Sequence, residues 1–170
     1  MAILTPSYAT PAALTITLLS LATSANLLAG QESTQVDNTT NKYDDAFLEG
    51  FITVGTTPTA GTRILVFAWG SNVSLATTAK DTLVGTNGAR TISSAGVQQG
   101  FLKLGASILV DSATSNRAYP FGVASIANLL GLPNLPAFWG VFVTHSSVSA
   151  LNNVAGNHAI SWSGIKYDIA

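Results

Sequence analysis

The chain has 170 residues, no cysteine and a formal net charge of -1, so one domain-sized core is expected and disulfides, thiolate metal sites and cysteine nucleophiles are excluded. Only 9% of its residues are Asp, Glu, Lys or Arg, against roughly 25% in an ordinary soluble domain. The seven Lys and Arg are scattered from Lys42 to Lys166, with none of the clustering that counterion-driven nucleic-acid binding needs.

Residues 1–12 carry Pro6 and Pro11 among small polar neighbours. They read as an N-terminal arm or edge segment, because proline removes a ladder donor. Residues 13–170 read as a single domain. Ala12–Gly30 is apolar but is interrupted by Thr15, Thr17, Ser20, Thr23, Ser24 and Asn26, and no Lys or Arg precedes Lys42. It therefore does not fit a membrane span, and without a cationic start it is a poor match to a signal peptide, which stays as the alternative. Within it, Leu14, Ile16 and Leu18 alternate with Thr15 and Thr17, which predicts a half-buried strand over Ala13–Leu19. Leu21–Gly30 reads as a short helix or an irregular turn, and Gln31–Tyr43 as a polar loop or strand start.

Phe47–Val54 is a predicted strand, ended by the Gly55–Gly61 turn cluster. Arg63–Trp69 (RILVFAW) is apolar on both faces and predicts a central strand. Ser71–Gly96 has little periodicity and reads as a long exposed excursion. Gly100–Val110 and Tyr119–Phe121 read as strands. Val123–Leu130 is the best helical candidate, stopped by Gly131 and Pro133. Ala137–Thr144 is a predicted buried strand, Ser146–Asn157 a polar loop, and Ala159–Ile169 the final strand. Six or seven strands, one short helix and no second hydrophobic core follow. The fold class expected is mainly β, an antiparallel β-sandwich or jelly roll.

Candidates for chemistry are few. His145 and His158 flank the last loop, with no cysteine to join them and Asp168 the nearest carboxylate in sequence. Polar strand ends are the plainer reading, since a zinc site wants three ligands or more. No G-x-S-x-G elbow singles out a nucleophile. Asp44, Asp45 and Glu49 form an acidic cluster, and Asp37 and Asn38 precede it. Their spacing matches no calcium loop, and a solvated loop is expected. Gly85–Gly88 lacks the lysine of a phosphate loop and reads as a turn. Trp69, Trp139 and Trp162 sit inside strong strand patterns and are expected in the core, with a sugar-binding face as the alternative. No catalytic residue, cofactor or metal is expected, and the chain reads as a non-enzyme.

The scarcity of charge points elsewhere. Neutral polar side chains cost less to desolvate than ions, and charge is depleted in the buried centre of interfaces. Much of this surface is therefore expected to meet protein, with a plain Thr-rich β protein of low charge as the alternative.

Several segments carry a resemblance. They are Ser20–Ser24, Ala29–Thr34, Val36–Thr40, Gly50–Pro58, Arg63–Trp69, Phe138–His145, Ala150–Asn152 and Gly156–His158. In this order the chain resembles head decoration, or cement, proteins of tailed bacteriophages. The resemblance implies a β-sandwich subunit, made in the host cytoplasm, that clamps the major capsid protein from the virion exterior and pairs with copies of itself as a dimer or trimer. It implies no chemistry. It places the arm, with Ile3, Leu4, Pro6 and Tyr8 as subunit-contact candidates, on a neighbour by strand addition. Ser71–Gly96 would then face capsid or solvent, and His145 and His158 would shape the last loop. The rival expectations are a tail, baseplate or receptor-binding subunit, a carbohydrate-binding module built on the tryptophans, and an enzyme using His145 with Asp44 or Asp45.

Overall fold

The computed structural model describes residues 4–169, and Ile3 lies outside the described residues. The chain runs β1 (Leu4–Tyr8), β2 (Ala12–Ala13), β3 (Ala29–Glu32), β4 (Val36–Asp37), β5 (Asp45–Thr53), β6 (Thr62–Ser71), β7 (Gly88–Thr91), α1 (Ala95–Phe101), β8 (Lys103–Val110), β9 (Ala118–Ser125), α2 (Ile126–Leu130), β10 (Phe138–His145) and β11 (His158–Ile169). They form two antiparallel sheets. The first has the order β1-β11-β5-β9, with β2 also on β11; the second has the order β7-β3-β10-β6-β8, with β4 also on β10. The architecture is a β-sandwich, as the alternating patterns predict.

Between the sheets lies the main core. From β6, Ile64, Val66 and Ala68 face inward; from β10, Trp139, Val141 and Val143. They meet Ala46, Leu48 and Ile52 of β5 and Ile160 of β11. Trp139 packs edge-on against Trp162, with ring centroids 5.4 Å apart.

The outward residues of β6 explain why that strand is apolar on both faces. Phe67 and Trp69 join Phe142 of β10 in a second buried cluster with Leu75, Leu83, Ile92 and Leu102. Ser71–Gly96 is thus no free excursion. It folds back over the second sheet and, with α1, covers it, where no second core was expected. Periodicity missed this because single apolar residues, Leu75 and Leu83, anchor an otherwise polar loop. Within the sheet, the Trp69 ring lies across the neighbouring strand: a Cβ on Gly140, its partner on β10, would sit 2.5 Å from that ring.

Other boundaries differ for local reasons. Two short helices form where one was expected. α1 takes Gly100 and Phe101 from the strand predicted over Gly100–Val110, with Ser94 Oγ accepting the Val97 N–H as its N-cap. The predicted helix Val123–Leu130 begins only at Ile126, because Val123–Ser125 completes β9. Ser125 Oγ accepts the Asn128 N–H and Asp45 Oδ1 the Ala127 N–H, fixing the helix start. Gly131, left-handed at φ 68°, ends it.

Ala13–Leu19 keeps its alternation without being a ladder strand beyond Ala13. Leu14 and Leu18 are buried while Thr15 and Thr17 are exposed. The Leu14 N–H bonds Ile160 of the first sheet, and the Thr15 carbonyl accepts from Thr34 beside the second. The segment spans the gap between the sheets. Of Leu21–Gly30, residues 21–28 form an irregular turn, and Ala29 and Gly30 already belong to β3.

Candidate functional site: the open face of the first sheet

The residues singled out for chemistry have structural employment. His145 is fully buried at the end of β10. Its Nε2 donates to the Leu21 carbonyl at 2.9 Å, and its Nδ1 lies 2.8 Å from Ser147 Oγ. His158 Nε2 donates to the Asn152 carbonyl at 2.9 Å, and its Nδ1 accepts the Thr53 N–H at 3.2 Å. Burial holds the pKa of each imidazole below its ordinary value, outweighing the main-chain carbonyls that favour the protonated form. Burial thus favours the neutral ring at each position, and through these bonds the two side chains fix the chain around the last loop.

The acidic residues do not converge. Asp37 accepts the N–H and hydroxyl of Thr39, which lowers its pKa. The Asn38 side chain closes its own loop, receiving the Tyr43 N–H and donating to the Tyr43 carbonyl. Asp44 accepts the Tyr167 N–H, and Asp45 accepts from Ser125 Oγ and the Ala127 N–H. Among the described residues no three His, Cys, Asp or Glu side chains are grouped to hold a metal. Gly85 sits in a turn at φ 71° and donates its N–H to Glu32. The tryptophans form no common exposed face: Trp69 and Trp139 are fully buried, in different clusters on opposite faces of the second sheet, and half-buried Trp162 packs edge-on against Trp139. Core packing was the expectation.

What the molecule leaves open is the outer face of the first sheet. Antiparallel register places directly paired residues on one face. Reading across β1, β11, β5 and β9 gives successive rows on the outer side. Pro6 pairs Tyr167; Tyr8 pairs Ile165, which pairs Asp45; Ser163 pairs Phe47, which pairs Ser125; Ala159 pairs Phe51, which pairs Pro120. Ser161 pairs Glu49, and there β9 carries an extra residue, so that Gly122 and Val123 bulge opposite Glu49. Tyr8 is 62% exposed, Tyr167 56% and Val123 61%, while Phe47 and Phe51 are half-buried. Tyr8 stands 6.4 Å from Phe47 by ring centroids, and beside them Ile165 is only 4% exposed.

The edges of this sheet differ from its face. The Ala9 N–H donates to the Gly164 carbonyl at 2.8 Å. Ladder alternation then turns the main-chain groups of Thr5 and Ser7 toward β11 and those of Pro6 outward. On the far side the Val54 N–H donates to the Arg117 carbonyl at 3.0 Å, which by the same alternation turns Pro120 outward from β9. Each edge thus carries a proline where an added strand would look for a donor. Between β1 and β2 the arm has one residue more than β11, a bulge at Thr10–Pro11.

The subunit-contact candidates Leu4, Pro6 and Tyr8 therefore lie on an exposed edge strand paired with the chain's own β11. Sequence reading placed them on an arm but did not join them to Phe47, Phe51, Val123 and Tyr167. The available signal was the second parity of the strands: Phe47, Phe51, Ile165 and Tyr167 occupy the positions that a solvated face would fill with polar residues. No helix among the described residues is long and apolar enough to cross a membrane. The chain matches no protein-family model, no curated protein and no solved structure.

Proposed function

We propose that this protein is a structural subunit of a virion, a cement or decoration protein that binds the outer surface of a bacteriophage capsid through the major capsid protein and stabilises the head. The observation that supports binding as its task is the open face of the first sheet, where exposed Tyr8, Val123 and Tyr167 and half-buried Phe47 and Phe51 share one side of a β-sandwich whose histidines, Asp44 and Asp45 are occupied in holding the fold. Monomers rarely expose a large contiguous apolar patch without a partner for it. The segments that resemble head decoration proteins support a phage head as the assembly. Electron microscopy of purified particles tests the reading. Density for the chain on the head exterior is the expected result; density confined to the tail would transfer the protein to the tail or receptor-binding class.

A further inference from the structure

We infer that the first sheet docks by its face and not by its edges, onto a protein surface that is itself apolar and presents one lysine or arginine to Glu49. This inference rests on the binding role proposed above and names the chemistry of the partner.

Three observations converge on it. First, Pro6 and Pro120 withhold a donor from each edge, so a partner strand added to either side would lose a ladder bond there. Second, the outer rows hold exposed Tyr8, Val123 and Tyr167 and half-buried Phe47 and Phe51 on one surface. Aromatic residues in the centre of an interface carry a large share of binding energy. Third, Glu49 is exposed at the middle of β5, makes no ion pair among the described residues, and has Ser161 and the Gly122–Val123 bulge as its cross-strand neighbours.

The charges of this face decide the occupant. Asp45 is held by Ser125 and Ala127, and Lys166 lies over the Tyr43 ring on the opposite side of β11. The outer rows thus offer an anion and no cation. A second copy centred face to face on Glu49 would bring Glu49 toward its own mate in a desolvated contact, which is unfavourable, and one centred elsewhere on the face would offer Glu49 no cation from the outer rows. An anionic lipid surface would meet the same repulsion. A different protein subunit with a cation among apolar side chains satisfies both features of the face.

The test uses heads purified without this protein and the full chain added back, read by co-sedimentation. Val123→Asp, Glu49→Lys and Glu49→Gln change exposed side chains, and Leu109→Asp, on the exposed edge strand β8 of the second sheet, is the control. Melting curves confirm that each variant is folded. The expected result is binding by the wild type and by Leu109→Asp, and weakening of at least about tenfold for Val123→Asp and Glu49→Lys, with Glu49→Gln weakened less than Glu49→Lys. Wild-type binding lost in Leu109→Asp and kept in Val123→Asp overturns the docking face and leaves the cement role standing. Undiminished binding by Glu49→Lys overturns the cation. Wild-type dimers that Val123→Asp dissolves would make the occupant a second copy. Wild type that fails to bind heads removes the cement role, and the inference with it.

Discussion

Arg90 Nε lies 2.9 Å from Glu32 Oε2, and the Glu32 side chain is wholly buried. The same carboxylate accepts the N–H groups of Val84 and Gly85. One side chain on β3 thereby ties down both β7 and the loop that covers the second sheet. Truncating a partner of a buried ion pair leaves the other uncompensated, at a cost of about 3–5 kcal/mol. Glu32→Ala is expected to lose that much stability in denaturant titration. It should also make Ala76–Thr82 a preferred cleavage site in limited proteolysis before the sandwich itself unfolds.

Acid sensitivity follows from the two imidazoles. Burial depresses the pKa of both His145 and His158 in the folded state, so the unfolded chain takes up protons first as pH falls. Their contribution is intact above the unfolded value of about 6.5 and declines as pH drops from there toward the folded values, by up to about 1.4 kcal/mol per pH unit for each ring. Urea midpoints at pH 8, 6.5 and 5 measure this. His158→Gln should flatten the slope, and an unchanged slope in that variant would assign the acid sensitivity elsewhere.

Two glycines predict opposite outcomes for the same substitution. Gly140→Ala drives a methyl into the Trp69 ring, where a Cβ has 2.5 Å, and is expected to cost about 1–3 kcal/mol. Gly100 in α1 has nothing within 4 Å of a built Cβ, and Gly100→Ala should stabilise by about 0.5–1 kcal/mol through helix propensity. Paired thermal melts report the two signs.

Removal of residues 1–8 separates folding from solubility. No β1 residue belongs to the buried clusters, so the shortened chain is expected to fold. It would, however, uncover Ile165 and the β11 edge that β1 now pairs. That edge has no proline, and unpaired edges invite association. Concentration-dependent elution of the shortened chain, against a constant volume for the full one, is the expected result.

The long strands could be read in the sequence because each has at least one parity of apolar residues, and Arg63–Trp69 is apolar on both. The Trp69 and Trp139 positions in the core followed from the same patterns. Ser71–Gly96 could not be read, because its fold depends on Glu32 accepting from Val84 and Gly85, a bond across more than fifty positions, and on two isolated leucines. α1 was hidden for a related reason: Gln98, buried and donating to the Leu27 carbonyl at 2.7 Å, stands where an amphipathic pattern would show an apolar residue. The open face was half visible. Phe47 and Phe51 announce it within β5, but only register joins them to Tyr8, Val123 and Tyr167.

The unequal covering of the two sheets gives the molecule a polarity. One side has its central strands covered by its own loop and the other is bare, so a subunit seated on the bare side has a single orientation and shows the covered side outward. The tip of that loop, Ala76–Thr82, is exposed between buried Leu75 and Leu83. A foreign peptide spliced there would be carried on the far side of the seat, held by two anchors it need not disturb.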